Sequence, residues 1–195
     1  RGMVGGSYPH GTSGAAVNYV GSVYGGRTDG TGDAHENTVY VNSPVVMNAA
    51  TPTGRDATII VDKMVGGYGA TATDNDVTIL SGTVSGSVYG GYATTAGTPA
   101  TTGASPTAEV SALRNNKVTL RDGITVTGNV YGAYAAADAS NMTAATDSNT
   151  IDLYKAVIDG TLYGGMARNT AGDDVVSGKN NTLAIHARGA KADDF

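Results

Sequence analysis

The chain offers few side chains that could do chemistry. His10, His35 and His186 are its only imidazoles, and none stands in an HxH or HExxH spacing that would bring two ring nitrogens to one metal ion. Cysteine is absent, which excludes a thiolate nucleophile, a thiolate metal site and a disulfide framework. No Gly-x-Ser-x-Gly elbow occurs to present a serine nucleophile. Glycosidic-bond chemistry would need paired carboxylates. Asp122 lies six residues after Asn116, whereas Asp152 and Asp159 lie three and ten after Asn149, so they read as separate turn carboxylates. The stretches DGTGD (Asp29–Asp33) and DND (Asp74–Asp76) supply oxygens suited to Ca²⁺, but neither follows the EF-hand or GGxGxD pattern, and turn chemistry accounts for both. GGYGAT and VYGGYAT lack the Gly-Lys-Ser/Thr ending of a phosphate loop. No cofactor is implied.

Tyrosine is the better candidate. Tyr24, Tyr89, Tyr131 and Tyr163 fall at one position of a recurring motif, in which Val4 and Val65 also stand, and Tyr68, Tyr92 and Tyr134 follow three residues later. Exposed, such rings would make a sugar- or protein-binding platform with an apolar body and a polar tip. Alternatively, Val replaces Tyr because the column is buried.

The motif that must position them is GSVYGG, at Gly21–Gly26 and again at Gly86–Gly91, with GNVYGA at Gly128–Ala133 and GTLYGG at Gly160–Gly165. Met3-Val4-Gly5-Gly6 and Met64-Val65-Gly66-Gly67 are weaker copies. A second element, Asn-x-Val-x-Val, starts at Asn37, Asn75, Asn116, Asn149 and Asn181, with RDATI from Arg55 as a degenerate sixth. Its fourth position reads Tyr40, Thr58, Thr78, Thr119, Asp152 and Ala184, too broken for an ice-binding threonine ladder. From Asn75 to Val88, Asn116 to Val130 and Asn149 to Leu162 the spacing is 13, 14 and 13 residues. In the other direction Val23 to Asn37, Val88 to Asn116, Val130 to Asn149 and Leu162 to Asn181 are 14, 28, 19 and 19.

One connection is fixed and the other stretches. A fixed segment of alternating β-formers reads as short strands joined by a turn. Insertions that leave the register intact must leave the body, so the spacing predicts every long loop on one edge. Stacked copies would align the asparagines Asn37, Asn75, Asn116, Asn149 and Asn181 as an amide ladder. The paired glycines are expected to turn a corner at positive φ.

Composition agrees. Val, Ile, Leu and Phe number 20, 7, 6 and 1, about 17% of the chain, too few for an ordinary core but enough where each repeat borrows its neighbours' side chains. With 29 Gly and only two Glu, strands and turns are favoured over helices. A net charge of −5 with scattered Lys and Arg speaks against a nucleic-acid or anionic-membrane surface. No apolar run approaches the ~18 residues of a membrane span, so no direct insertion of this segment is expected.

Arrays of GSVYGGY and GNVYGAY interleaved with NxVTI and NxVTL resemble the passenger-region repeats of Gram-negative autotransporters and related large surface adhesins, over about residues 20–185. That resemblance implies an elongated β-helix displayed at the bacterial cell surface, with adhesion as the commonest role. There is no barrel-like run of long amphipathic strands and no secretory signal, and the chain opens on Arg1, so one segment (1–195) of a longer passenger is expected.

The expectation is therefore an all-β, right-handed parallel β-helix of about six coils with loops projecting from one edge. It would be a non-enzymatic extracellular stalk or adhesin. Variable loops, chiefly Tyr92–Asn115 and Ala135–Ser148, would contact a host or bacterial surface glycan or protein. A polysaccharide lyase or hydrolase, or a phage tail-fibre solenoid, are the alternatives.

Overall fold

A computed structural model describes residues 18–28, 32–41, 59–80, 82–93, 113–121, 123–136, 144–168 and 176–186. Among them there is no helix, and the strands recur in five successive rungs. The first rung holds β1 (Asn18–Arg27), β2 (Asp33–His35) and β3 (Thr38–Val41). The second holds β4 (Ile59–Gly69), β5 (Thr71–Thr73) and β6 (Asp76–Ile79). In the third rung the long strand is broken into β7 (Thr83–Val84) and β8 (Val88–Ala93), followed by β9 (Leu113–Arg114) and β10 (Lys117–Leu120). The fourth repeats this with β11 (Thr125–Val126), β12 (Val130–Ala136), β13 (Ala144–Asp147) and β14 (Thr150–Tyr154). The fifth holds β15 (Val157–Ile158), β16 (Leu162–Tyr163), β17 (Met166–Arg168), β18 (Val176–Lys179) and β19 (Thr182–His186).

Every rung pairs in parallel with the next, giving three sheets. The nine-stranded first sheet runs β15-β11-β7-β4-β8-β12-β16, with β1 beside β4 and β17 beside β12. The second runs β18-β13-β9-β5-β2 and the third β19-β14-β10-β6-β3. The chain is thus all-β and solenoid-like. Register holds the copies in columns: Val39, Val77, Val118, Ile151 and Leu183 align, as do Val23, Met64, Val88, Val130 and Leu162.

These columns account for how so little apolar material suffices. Val61, Met64, Val77, Ile79, Val84, Val88, Val118, Leu120, Val126, Val130 and Ile151 form one buried cluster between the first and third sheets. A second cluster is built largely of alanines, Ala72, Ala93, Ala133, Ala135 and Ala167 around Leu113. Small side chains there let the sheets approach closely, and each buried residue packs on its like in the neighbouring rung.

Each rung passes from the second sheet to the third through a two-residue corner of fixed form. Glu36, Asp74, Asn115, Ser148 and Asn180 adopt φ of 54–58° there, each immediately before a ladder asparagine. The left-handed residue is therefore the one before the asparagine, a position that suits Asn and Asp and costs most other side chains ~1–2 kcal/mol.

Three expectations are corrected. The paired glycines do not turn corners at positive φ: among the described residues only Gly82 and Gly123 are glycines with positive φ, and Gly90 and Gly91 lie within β8. Gly91 is glycine because a Cβ there would stand 2.7 Å from the Asn116 amide nitrogen. RDATI is not a sixth ladder copy, because Ile59 opens β4 and pairs with Asn18 in the first sheet; Arg55–Thr58 lie outside the described residues. As a result the long segment 42–58 joins the third sheet to the first, whereas 94–112, 137–143 and 169–175 join the first to the second, so long connections leave at two junctions rather than one. Met3–Gly6 lies outside the described residues.

Candidate functional site

The strand β8 shows how the tyrosines are placed. Val88 is buried, Tyr89 is half-buried on the outer side, Gly90 and Gly91 are buried, Tyr92 is again half-buried and Ala93 is buried. Strict alternation would send residues three apart to opposite faces. The Gly-Gly pair, pressed inward against Asn116, resets the alternation so that both rings share the outer face. The second and fourth rungs repeat the register, which aligns Tyr24, Val65, Tyr89, Tyr131 and Tyr163 in one column and Arg27, Tyr68, Tyr92, Tyr134 and Met166 in the next.

The rings form a continuous seam. Tyr89 stacks on Tyr131 at 4.9 Å between centroids with 4° between planes, and Tyr131 stacks on Tyr163 at 5.1 Å and 8°. Tyr68 stacks on Tyr92 at 5.2 Å. Edge-to-face contacts tie the columns together: Tyr24 to Tyr68 at 5.6 Å, Tyr89 to Tyr92 at 5.1 Å, and Tyr131 to Tyr134 at 5.1 Å. Where Val65 interrupts the first column, its side chain is 0% exposed. The Lys63 ammonium stands 5.6 Å from the Tyr24 ring and 5.8 Å from Tyr92, and the Arg27 guanidinium lies over both Tyr24 and Tyr68.

Polar neighbours fix the phenols. The Asn129 amide donates to the Tyr131 hydroxyl at 2.8 Å, its Oδ1 accepts from the Thr161 N–H at 2.8 Å, and its own N–H donates to Ser87 Oγ. Tyr89 is hydrogen-bonded to Ser87. Burial pushes the Tyr92 phenol up to about 12, helped by the surrounding tyrosines, and burial also raises Tyr89 and Tyr131. The phenols of Tyr89, Tyr92 and Tyr131 consequently keep their protons at physiological pH.

Behind it runs the asparagine ladder. Asn37, Asn75, Asn116 and Asn149 each donate from Nδ2 to the Oδ1 of the next rung's asparagine at 2.9–3.0 Å, ending on Asn181. The same Oδ1 also accepts the backbone N–H of the preceding ladder residue at 3.0–3.2 Å. Asn75, Asn116, Asn149 and Asn181 also donate from Nδ2 to second-sheet carbonyls, of Ala34, Ala72, Leu113 and Thr146 respectively. Among the described residues no buried side-chain polar atom lacks a partner. The ladder holds the first-sheet glycines, and through them the rings, at fixed height.

The remaining candidates disperse, except that His186 Nε2 lies 3.8 Å from Asp152 Oδ1. His35 ends β2 and is exposed, His186 ends β19, and His10 lies outside the described residues. Asp152 pairs with Lys117 at 3.1 Å on the outer face of the third sheet, Asp159 is exposed, and Asp122 lies outside the described residues. Asp33 accepts from Thr71, Asp74 from Asn115 and Asp76 from Thr78; Asp29 is outside the described residues. Tyr40, Thr78, Thr119, Asp152 and Ala184 align in one column, and Thr58 lies outside. Among the described residues no three His, Asp or Glu gather to hold a metal ion.

Sequence reasoning missed Arg27, Lys63, Ser87 and Asn129. The last three occupy the x of the G-x-V-Y motif or its M-V variant, so the motif did carry a signal: a polar position beside the ring. It also missed a stack on the third sheet, where Tyr154 lies between the Arg121 guanidinium at 4.2 Å and the His186 ring at 4.1 Å. Compared with known protein families, curated proteins and solved structures, the chain matches none.

Proposed function

We propose that the three parallel sheets are the faces of one right-handed β-helix of about six coils, five of them in the described residues, and that the chain is a non-enzymatic, surface-displayed or secreted stalk of the autotransporter-passenger kind. Recognition of a glycan or protein falls to its variable connections. One observation carries this reading. Gly69 pairs with Ala93 and Ala72 pairs with Leu113, so the second rung crosses with Ala70 and Thr71 the same gap that the third crosses with residues 94–112. A body that accepts 19 residues in place of two without losing register separates rigidity from sequence variation, the division of labour a display scaffold needs.

The tyrosine seam supports assigning recognition to the loops. A sugar stacks on an open ring face, whereas Tyr131 is stacked between Tyr89 and Tyr163, Tyr68 stacks on Tyr92, and Arg27 and Lys63 lie over Tyr24.

A glycan array read for both bound chain and shortened sugars tests the reading. Binding that disappears when 94–112 is replaced by Ala-Thr, and persists in Tyr92→Phe, is the expected result. Cleaved sugars, or binding that survives the loop replacement, would overturn it.

A further inference from the structure

Near-parallel tyrosines on adjacent rungs are positioned for reaction with each other. Tyr131 and Tyr163 are register partners on parallel strands, as are Tyr89 and Tyr131. Their ring centroids lie 5.1 and 4.9 Å apart with 8° and 4° between planes, so each ring is stacked on its neighbour. The edge-to-face pairs, such as Tyr131 with Tyr134 at 62°, are not stacked in this way. Tyr131 is only 7% exposed, but Tyr89 and Tyr163 on either side are partly open to solvent.

We propose that the seam is an oxidative cross-linking site, where a peroxidase-type one-electron oxidant supplied with hydrogen peroxide joins Tyr131 to Tyr163 or to Tyr89 as dityrosine. An outer phenol is oxidised first and takes a hydrogen atom from Tyr131, passing the radical inward; a second oxidation restores the outer radical. In all, two phenols lose one electron and one hydroxyl proton each, and one peroxide is reduced to two waters. The radicals pair in a carbon–carbon bond between positions ortho to the oxygens. Each of those carbons then gives its hydrogen back to its oxygen, so both rings return to phenols. The product staples one rung covalently to the next, in addition to the hydrogen bonds and side-chain packing that join them. This inference does not depend on what the loops recognise.

The test treats the full chain, dilute and folded, with horseradish peroxidase and hydrogen peroxide. Expected are dityrosine fluorescence on a species that remains monomeric on a denaturing gel, a mass loss of two hydrogen atoms, and a tryptic link between 122–155 and 156–168 or between 64–114 and 122–155. Tyr163→Phe, which keeps the ring, abolishes the first link, Tyr131→Phe abolishes both, and Tyr40→Phe, on a different sheet, abolishes neither. Links found only between chains, no linked species, or the same links in equal yield from the urea-unfolded chain would each overturn the proposal.

Discussion

Asn116 stands in the middle of the ladder and is fully buried, with four hydrogen bonds through its amide. Asn116→Ala leaves the backbone N–H of Asn75 and the carbonyl of Ala72 without that partner. Each buried group so orphaned costs ~1–3 kcal/mol, so we expect a loss of about 2–4 kcal/mol, read as a lower urea midpoint. An unchanged midpoint would mean that water replaces the ladder. At the other corner, Lys155 holds φ at 53° where the equivalent position one rung earlier is Gly123, whose N–H donates to the Lys155 carbonyl. Lys155→Gly should therefore raise stability, by ~0.5–1 kcal/mol once the extra freedom of the unfolded glycine is counted. A fall in melting temperature would contradict the strain argument.

The seam is an element-scale device, and its charge state sets an alkaline limit. A phenol whose pKa is higher in the folded than in the unfolded chain binds its proton more tightly when folded. Its contribution is fully present below pH ~10, where unfolded tyrosine ionises, and is lost as pH rises toward the folded value. For Tyr92 that window runs from ~10 to about 12, and Tyr89 and Tyr131 shift in the same direction. Thermal midpoints should hold steady from neutral pH to just below 10 and fall above it. Tyr92→Phe should make that fall shallower and remove a late component of the tyrosinate absorbance. An equally steep fall in the variant would locate the alkaline sensitivity elsewhere.

At the scale of the molecule, exposure is uneven along the rungs. Ile151 and Leu153 are buried, while their partners on the fifth rung, Leu183 and Ile185, are 44% and 66% exposed. Rungs stabilise one another by contact, so the fifth should be the first to open. Hydrogen exchange should be fastest on β19 and slowest on β10 among the third-sheet strands; uniform protection would argue for one all-or-none unit. Replacing 94–112 by Ala-Thr should leave the register intact and raise stability by ~1–2 kcal/mol through a shorter closure. A large loss would show that the segment packs on the body.

Periodicity is a property of the chain, so the sequence alone determined the strand columns, the aligned asparagines, the paired tyrosine positions and the match of Met64-Val65-Gly66-Gly67 to the Tyr-bearing copies. Those features repeat because each rung meets the same neighbour in the same place. Only the tertiary structure decided what the glycines do, which residue takes the left-handed conformation, and that Ile59 belongs to the first sheet. Each of these depends on how closely two backbones approach or on which strand a segment pairs with, and neither quantity is encoded in spacing. The reach of Lys63 and Arg27 over rings on neighbouring rungs likewise arises between residues distant in sequence, brought together only when the rungs stack.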